Sequence, residues 1–350
     1  MRRRRVRYIG EPAMPLTDHY PRTVLFVGRE RAGDSGQIEH RIEGTAFLVR
    51  VSSVSLPHLS YNYAVTAAHV VDGDAESFVR VPVEDRLIDL QVPEWISHRK
   101  HDVAVAPIVL PPRHKCSSTH LSDFIDDNHW RLADDYFGRP FDPELGELVY
   151  FISLLGKIEA MTESNIPMVR SGTLGRLWQD HLPVQRTPAD AEKHITAHLI
   201  DCRSFAGFSG SPCYVQQSQA AFREASNGNL NLENFERTAL LGLIGGHFDD
   251  WQKASDAQAE GNISDNIKAR VSTGVGYVIP AEFIRETLMH EDLVEARRKG
   301  DETVAARVED AATMDSSELE PSEFARFENL TRGLVNVPKN ELDEKRKAGD

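Results

Sequence analysis

The chain has 350 residues, of which 40% are apolar and 27% are charged, and it carries a formal net charge of -14. This length is enough to bury a full core, and these proportions are those of an ordinary globular protein. The acidic balance argues against broad nucleic-acid binding, because a phosphate backbone attracts clustered lysine and arginine. We therefore expect no nucleic-acid partner, whereas protein partners are compatible with this charge.

Cysteine usage and the N-terminal residues predict the compartment. Three cysteines are too few, and odd in number, for the disulfide framework of a secreted domain. Residues 1–20 begin with an arginine run, but no apolar stretch of signal-peptide length follows it, and no segment approaches the length of a membrane span. These features predict a cytoplasmic protein with a basic, flexible N-terminus and no membrane partner.

Short apolar runs from about Pro21 to Pro280 predict an all-β fold. They are rich in Val, Ile, Leu, Phe and Thr and are separated by Gly, Pro, Asp and Asn clusters, a pattern typical of a β-barrel or sandwich. Strands do not alternate with helices, which disfavours a doubly wound parallel sheet. The predicted strands are Thr23–Val27, Gly44–Val51, Tyr63–Thr66, Leu87–Val92, Val103–Val109, Leu148–Leu154, Ile195–Asp201, Pro212–Val215, Ala239–Ile244 and Gly276–Ile279.

Two polar stretches interrupt these runs. Residues 111–146 contain polar, aromatic and histidine residues and are interpreted as a long connection between two halves, with a boundary near residue 135. Residues 216–237 are interpreted as a surface excursion, partly helical, that could flank a substrate groove.

The pattern becomes helical after Pro280. Residues 281–288 predict a helix with Phe283, Ile284 and Leu288 on one face. Beyond Arg297 the chain is strongly charged, and its few large apolar residues at helical spacing are Phe324, Phe327, Leu330 and Leu334. This tail is either mobile with one transient helix or carries a docking helix for a protein partner.

Three residues of complementary chemistry lie at the edges of apolar runs. His69 lies in TAAHV, Asp102 in HDVAVAPI and Ser209 in GFSGSP. A serine becomes a strong nucleophile when an imidazole takes its proton and a carboxylate orients that imidazole. The order His, Asp, Ser is that of the chymotrypsin scaffold, and it differs from the orders of subtilisins and α/β-hydrolases. The pattern therefore predicts a catalytic triad.

These motifs resemble those of the trypsin- and chymotrypsin-like serine proteases, in a cytoplasmic form without a signal peptide. The likeness covers residues 21–290 and includes Gly44–Val49, Ser171–Gly175, Leu241–Gly246 and Gly274–Pro280, which resemble strands of that family. The resemblance implies two antiparallel six-stranded β-barrels with a C-terminal helix and a charged tail. The implied segments are residues 1–20, an N-terminal barrel with its connection at 21–135, a C-terminal barrel with its closing helix at 136–297, and the tail at 298–350.

The resemblance also implies an activity and a set of roles. Ser209 would attack a peptide carbonyl and form an acyl-enzyme, His69 would act as general base and then general acid, and Asp102 would orient His69. The backbone N–H groups of Gly207 and Ser209 would form the oxyanion hole. Such a serine endopeptidase needs no cofactor or metal, acts on a peptide or protein, and loses activity in acid because His69 must be neutral.

Two other functions, a binding module and an esterase, compete with this interpretation. A catalytically silent protease-fold module would use the same cleft to hold a peptide or protein partner. An α/β-hydrolase-type esterase would need glycine at position 211 and a histidine downstream of the acid. Ser211 contradicts the first requirement, and the order His69, Asp102, Ser209 contradicts the second.

Two departures from the family bear on control and specificity. Phe208 stands where secreted members place an aspartate that captures a newly cut N-terminus, so we expect no such activation. In the expected substrate pocket, Arg203 and His247 would attract an acidic side chain, unless Arg203 points outward or pairs with a nearby aspartate. A trypsin-like preference is disfavoured either way. The residues expected to bind substrate, partly by strand addition, are Arg203, Ser204, Gly245, Gly246 and His247.

Other histidines and cysteines are interpreted without a metal. His114, Cys116, His120 and His129 lack the spacing of known metal motifs and are expected to be surface residues. The remaining two cysteines, Cys202 and Cys213, flank the serine motif. They could bond under oxidation, although a reducing compartment favours buried free thiols.

Overall fold

A computed structural model describes residues 19–32, 37–73, 76–124, 143–154, 166–184, 193–202, 208–224, 230–253 and 268–313. The chain divides into two compact units. Unit 1 comprises Met1–Val51 with Asn62–His290, and unit 2 comprises Ser52–Tyr61 with Glu291–Asp350.

The first half of unit 1 forms an eight-stranded sheet. Its strands are β1 (Val24–Ala32), β2 (Ile38–Ser52), β3 (Ser60–Thr66), β4 (Ser77–Val83), β5 (Arg86–Val92), β6 (Ile96–Ser97), β7 (Ala104–Pro107) and β8 (Thr119–His120). Their order is β5-β4-β1-β2-β3-β7-β6, and β8 pairs with β2 in parallel. A four-residue helix, α1 (Ala68–Val71), follows β3. The sheet packs around Phe26, Phe47 and Phe78, which are fully buried.

The second half of unit 1 is a closed antiparallel barrel. Its strands are β9 (Leu148–Leu154), β10 (Pro167–Val184), β11 (Lys193–Asp201), β12 (Pro212–Glu224), β13 (Leu230–Lys253) and β14 (Lys268–Pro280). They close in the order β10-β11-β14-β13-β12-β9. Apolar side chains from all six strands fill the interior, among them Phe151, Leu174, Ile200, Val215 and Val278.

The predicted fold class, all-β with two antiparallel sheets and C-terminal helices, is confirmed. Every predicted strand overlaps an observed one, and Leu148–Leu154 has the predicted bounds. The second half has the six strands expected of a barrel, whereas the first has six strands of four or more residues and two of only two residues.

Strand β4 was not predicted, because Arg80 and Pro82 interrupt its apolar run. The structure accommodates Arg80 by placing it opposite Asp89 of β5. Its guanidinium donates two hydrogen bonds to that carboxylate, at 2.6 and 2.8 Å. The pairing is bidentate and partly buried, which lets a charged residue lie within a sheet.

The described residues of the 216–237 stretch, 216–224 in β12 and 230–237 in β13, are strand residues, and the prediction of partly helical structure is wrong for them. Strands β12 and β13 pair continuously through this stretch, from Gln216 opposite Thr238 to Glu224 opposite Leu230. Because each strand supplies hydrogen-bond partners to the other backbone, a polar sequence can extend a hairpin without an apolar run of its own.

Two helices follow the second barrel. Helix α2 (Ala281–Leu288) buries Phe283, Ile284 and Leu288, which confirms the predicted apolar face. Helix α3 (Glu291–Thr313) belongs to unit 2, so the predicted boundary after residue 297 falls within a helix. The other predicted boundary, near residue 135, and the tail residues Phe324, Phe327, Leu330 and Leu334 lie outside the described residues.

Within unit 2, one carboxylate joins α3 to residues 52–61. Asp301 accepts hydrogen bonds from the Ser53 hydroxyl at 2.7 Å and from the Tyr61 hydroxyl at 2.6 Å. These two hydroxyls lower the pKa of Asp301, the Tyr61 contribution being the larger.

Of the helices in the described part of the chain, none combines the length and apolar character needed to cross a bilayer.

Buried His198 on β11 predicts a loss of stability in acid. Its Nδ1 accepts a hydrogen bond from the Trp178 backbone N–H at 2.9 Å, and burial lowers its pKa to about 4. In the unfolded chain histidine takes up a proton near pH 6.5, so between these values the unfolded state binds more protons and stability falls as pH falls. We expect the free energy of unfolding to drop by at most roughly 3 kcal/mol across this window.

Urea unfolding at pH 7, 5.5 and 4.5 measures this loss. His198→Asn keeps an acceptor for the Trp178 N–H but does not titrate in this range, so its decline should be smaller. Equal declines in the two proteins would assign the acid sensitivity to other groups.

Candidate active site

His69 is held by the turn that ends β3. The sequence Thr66-Ala67-Ala68 passes from strand into α1, where Val70 and Val71 are buried and leave His69 partly exposed between them and the strand. From β1, the Arg29 guanidinium donates two hydrogen bonds to the Val70 carbonyl, at 3.1 and 2.9 Å. The backbone around His69 is therefore held by the burial of Val70 and Val71, which follow it, and by the hydrogen bonds from Arg29 of β1.

Asp102 contacts His69 at two points. Its Oδ1 accepts the His69 backbone N–H at 3.0 Å, and its Oδ2 lies 2.7 Å from the His69 Nδ1. Because a carboxylate only accepts, Nδ1 must carry the proton, which leaves Nε2 of the neutral ring as an acceptor. This is the tautomer that a general base for serine requires.

The loop that carries Asp102 is braced by backbone bonds and by an aromatic stack. The His98 N–H donates to the Val103 carbonyl, and the Val103 N–H donates to the His101 carbonyl, both at 2.8 Å. The His101 ring stacks on Phe283 of α2, with centroids 3.4 Å apart and planes 7° from parallel. Burial, followed by the neighbouring His98, lowers the pKa of His101 to about 4, so His101 is neutral beside Asp102 at neutral pH.

Ser209 lies in a tight turn before β12. The Ser211 N–H donates to the Phe208 carbonyl at 3.0 Å, and the Gly210 N–H donates to the Ile244 carbonyl at 2.8 Å. The Thr45 N–H of β2 donates to the Ser209 carbonyl at 3.1 Å. The Ser209 turn is thus bonded both to its own barrel and to the sheet that carries His69.

Gly210 brings this turn into direct contact with the other half. Its φ is +83°, and a Cβ there would lie 2.1 Å from the Thr45 carbonyl oxygen and 2.3 Å from the Thr66 Oγ1. Only glycine tolerates both the angle and the approach. Since Thr66 is three residues before His69, this contact places the Ser209 turn beside the histidine.

Phe208 anchors the turn by burial. Its side chain is 1% exposed and contacts the Phe151 ring edge to face, with centroids 5.8 Å apart. The Arg170 guanidinium lies over the Phe208 ring, 5.2 Å from its centroid. An apolar anchor with a cation–π contact therefore stands where the resemblance placed a zymogen aspartate.

The described residues bring two members of the predicted triad into direct contact and the third onto an adjoining turn. Their hydrogen bonds do not include one from the Ser209 hydroxyl to the His69 ring. Catalytic hydrogen bonds of this kind often tighten only when substrate is bound.

The predicted substrate residues divide into two groups. Gly207, Arg203 and Ser204 lie outside the described residues. Gly245, Gly246 and His247 lie on β13 beyond Leu243, the residue opposite Pro212 at the start of β12. Strand β14 pairs with Gly246 and His247, and Gly245 lies at a register shift between the two strands. The glycines also admit the Tyr277 side chain, which a Cβ at either position would meet within 2.6 Å.

The cysteines that flank the serine motif are buried, and two histidines of the predicted connection bond to nearby backbone. Cys202 and Cys213 are free and buried. Burial raises the pKa of Cys202 to about 11 and raises that of Cys213 well above its usual value, so neither is a thiolate at neutral pH. The Nδ1 atoms of His114 and His120 accept local backbone N–H bonds. Among the described residues no group of three or more His, Cys, Asp or Glu is arranged to hold a metal ion, and His129 lies outside them.

Sequence reasoning did not single out Arg29 and Arg170. Each is one arginine within a strand, with no motif around it, and its role depends on a partner far along the chain. Pairing of β1 and β10 with their neighbours brings the two guanidinium groups to Val70 and Phe208, next to His69 and Ser209.

No protein-family model and no curated protein matches the chain. It is similar to the solved MamO protease domain from Magnetospirillum magneticum in its apo form, with 17% identity, coverage of 79% of this chain and 100% of that chain, and a TM-score of 0.41. For the Rv3671c protease of M. tuberculosis in an inactive form the values are 17%, 77%, 88% and 0.38, and for GrC they are 13%, 79%, 98% and 0.37. These likenesses concern overall fold at low identity, so the function is argued from this chain's own residues.

Proposed function

We propose that this chain is a serine endopeptidase that uses Ser209, His69 and Asp102 as its triad. The observation that carries the proposal is the two-point contact of Asp102 with His69, which fixes the His69 tautomer and points Nε2 away from the carboxylate. The packing of Gly210 against Thr45 and Thr66 supports it, because that contact brings the nucleophile turn to the same place.

The chemistry follows from these positions. His69 Nε2 takes the Ser209 proton as Oγ bonds to the peptide carbonyl, and the resulting imidazolium gives that proton to the leaving amine. The acyl-serine ester is then hydrolysed by water, with His69 again as base. Asp102 stabilises the charged ring throughout, and the N–H groups of Gly207 and Ser209 would bind the oxyanion.

Substrate would bind as an added strand on Gly245, Gly246 and His247. The position of this segment supports the placement, because it directly follows Ile244, whose carbonyl accepts the Gly210 N–H of the Ser209 turn at 2.8 Å. Arg203 and Ser204 are proposed to form the base of the side-chain pocket, where Arg203 with His247 would favour an acidic residue.

A catalytically silent binding module is the second candidate. The observation that favours it is that the described hydrogen bonds include none between Ser209 and His69. It would use the same β13 segment to hold a peptide without cleaving it.

A fluorophosphonate probe separates the two candidates, because it reacts covalently with an activated serine. We expect the full chain to be labelled and Ser209→Ala to abolish labelling. The matched control is Ser211→Ala, two residues further on, where the hydroxyl is buried without a hydrogen-bond partner, and it should be labelled like the unmodified chain. Labelling that survives Ser209→Ala would contradict the assignment. A folded protein that binds peptides but is never labelled would establish the binding module.

A further inference from the structure

A cleft of about 530 Å³ opens beside the proposed triad. Its walls include Asp102 itself, Ala68 and Asp72 at the two ends of α1, and the loop that runs from Ser97 to Asp102. Lys193, at the start of β11, also lines the cleft. The cleft therefore adjoins the residues that hold His69 and belongs to unit 1 throughout.

Three cations line this cleft: Arg99, Lys100 and Lys193. All three are exposed, and no carboxylate among the described residues forms an ion pair with any of them. This arrangement favours the binding of an anion, because a cation that already has a carboxylate partner attracts a further anion less strongly.

Two carboxylates, Asp102 and Asp72, also line the cleft, so its cations exceed its carboxylates by one. Both oxygens of Asp102 accept hydrogen bonds from His69, and Asp72 is shared with a second cleft. Glu286 does not line the first cleft and contacts His98 of its wall at 2.9 Å.

The second cleft has the opposite character. Its volume is about 570 Å³, and it shares Asp72 and Ser97 with the first. Among its described lining residues are Glu76 and Glu94, and none is a lysine or arginine. Charge is thus separated along this face: cations line the cleft next to the proposed triad, and carboxylates line the neighbouring one.

We infer that the first cleft binds an acidic segment of the polypeptide substrate. The inference deepens the proposed function and rests on it, because the bound segment belongs to the chain whose peptide bond reaches Ser209. A peptide suits the site better than a nucleic acid. A short acidic peptide can be matched by three cations, whereas a phosphate backbone would extend beyond them over a protein whose formal net charge is -14.

The test measures binding without cleavage. Full-length Ser209→Ala is titrated against fluorescein-labelled hexaglutamate, hexalysine and an uncharged Gly-Ser hexamer, and fluorescence anisotropy is read at 50 and 200 mM NaCl. We expect hexaglutamate to bind at least tenfold more tightly than the other two and to weaken at the higher salt concentration. Adding Arg99→Glu and Lys100→Glu should reduce hexaglutamate affinity at least tenfold.

A matched control removes the effect of net charge. Arg50→Glu with Arg86→Glu makes the same charge change at two exposed arginines outside the cleft, and it should alter affinity less than threefold. Equal losses in the two double variants, or no preference for hexaglutamate, would overturn the inference. So would tighter binding of a single-stranded DNA hexamer than of hexaglutamate.

Failure of this inference can be told apart from failure of the proposed function. Fluorophosphonate labelling of the unmodified chain reports on Ser209 and does not depend on the cleft. Labelling without hexaglutamate binding would contradict the acidic-peptide cleft and leave the proposed endopeptidase standing. Hexaglutamate binding without labelling would contradict the endopeptidase and leave a binding module with an acidic-peptide cleft.

Discussion

Asp102→Asn is expected to reduce kcat/KM by about 10⁴-fold, with the fold retained. The asparagine Oδ1 can still accept the His69 backbone N–H, as Asp102 does at 3.0 Å. Its amide nitrogen would then face Nδ1 at the position of the Oδ2 that now lies 2.7 Å away. An amide donates there, so Nδ1 must become the acceptor and Nε2 must carry the proton, which leaves no base for Ser209.

Fluorophosphonate inactivation rates and peptide turnover measure this effect. Asp85→Asn is the matched control, since it makes the same change at an exposed aspartate that lines neither cleft. Its activity should stay within a few-fold of that of the unmodified chain. An Asp102→Asn variant that kept more than a tenth of the activity would show that Asp102 does not orient His69.

Gly210→Ala is expected to destabilise the protein by more than about 2 kcal/mol and to slow labelling at least 100-fold. An alanine at φ +83° costs about 1–2 kcal/mol by itself. Its Cβ would also lie 2.1 Å from the Thr45 carbonyl oxygen, so the turn must move away from β2. That movement would carry Ser209 away from His69.

Gly146→Ala separates the two contributions. Gly146 has a similar φ, +92°, but apart from its chain neighbours no atom of the described residues lies within 4 Å of the Cβ position. Urea unfolding should therefore show the backbone cost alone, and labelling should be unchanged. If the two variants were equally stable and equally active, the contact between Gly210 and Thr45 would not be what positions Ser209.

Local sequence predicted those parts of the fold that consist of short apolar runs. The run Leu148–Leu154 needs no distant information, because six of its seven residues are apolar and several are β-branched or aromatic. Strand β4 was missed for the complementary reason. Arg80 breaks the run, and the carboxylate of Asp89 that neutralises it becomes visible only when β4 and β5 pair.

The hairpin of β12 and β13 shows the same limit for a polar stretch. Its strands are held by cross-strand backbone hydrogen bonds. Every residue type except proline supplies both an N–H donor and a carbonyl acceptor for such bonds. Hydrophobic pattern therefore carries no signal for them, and the polar residues were interpreted as a partly helical excursion instead of paired strands.

For the site, the sequence by itself determined which residues can do chemistry and in which order they occur. His69, Asp102 and Ser209 stand out because each has the required functional group within a short local motif. Tertiary structure decided the rest: the two-point contact across 33 residues, the Gly210 packing on Thr45 and Thr66, and the cationic cleft beside Asp102. These are contacts between strands distant in the chain, and their geometry depends on how the sheets pair and pack, which no local pattern encodes.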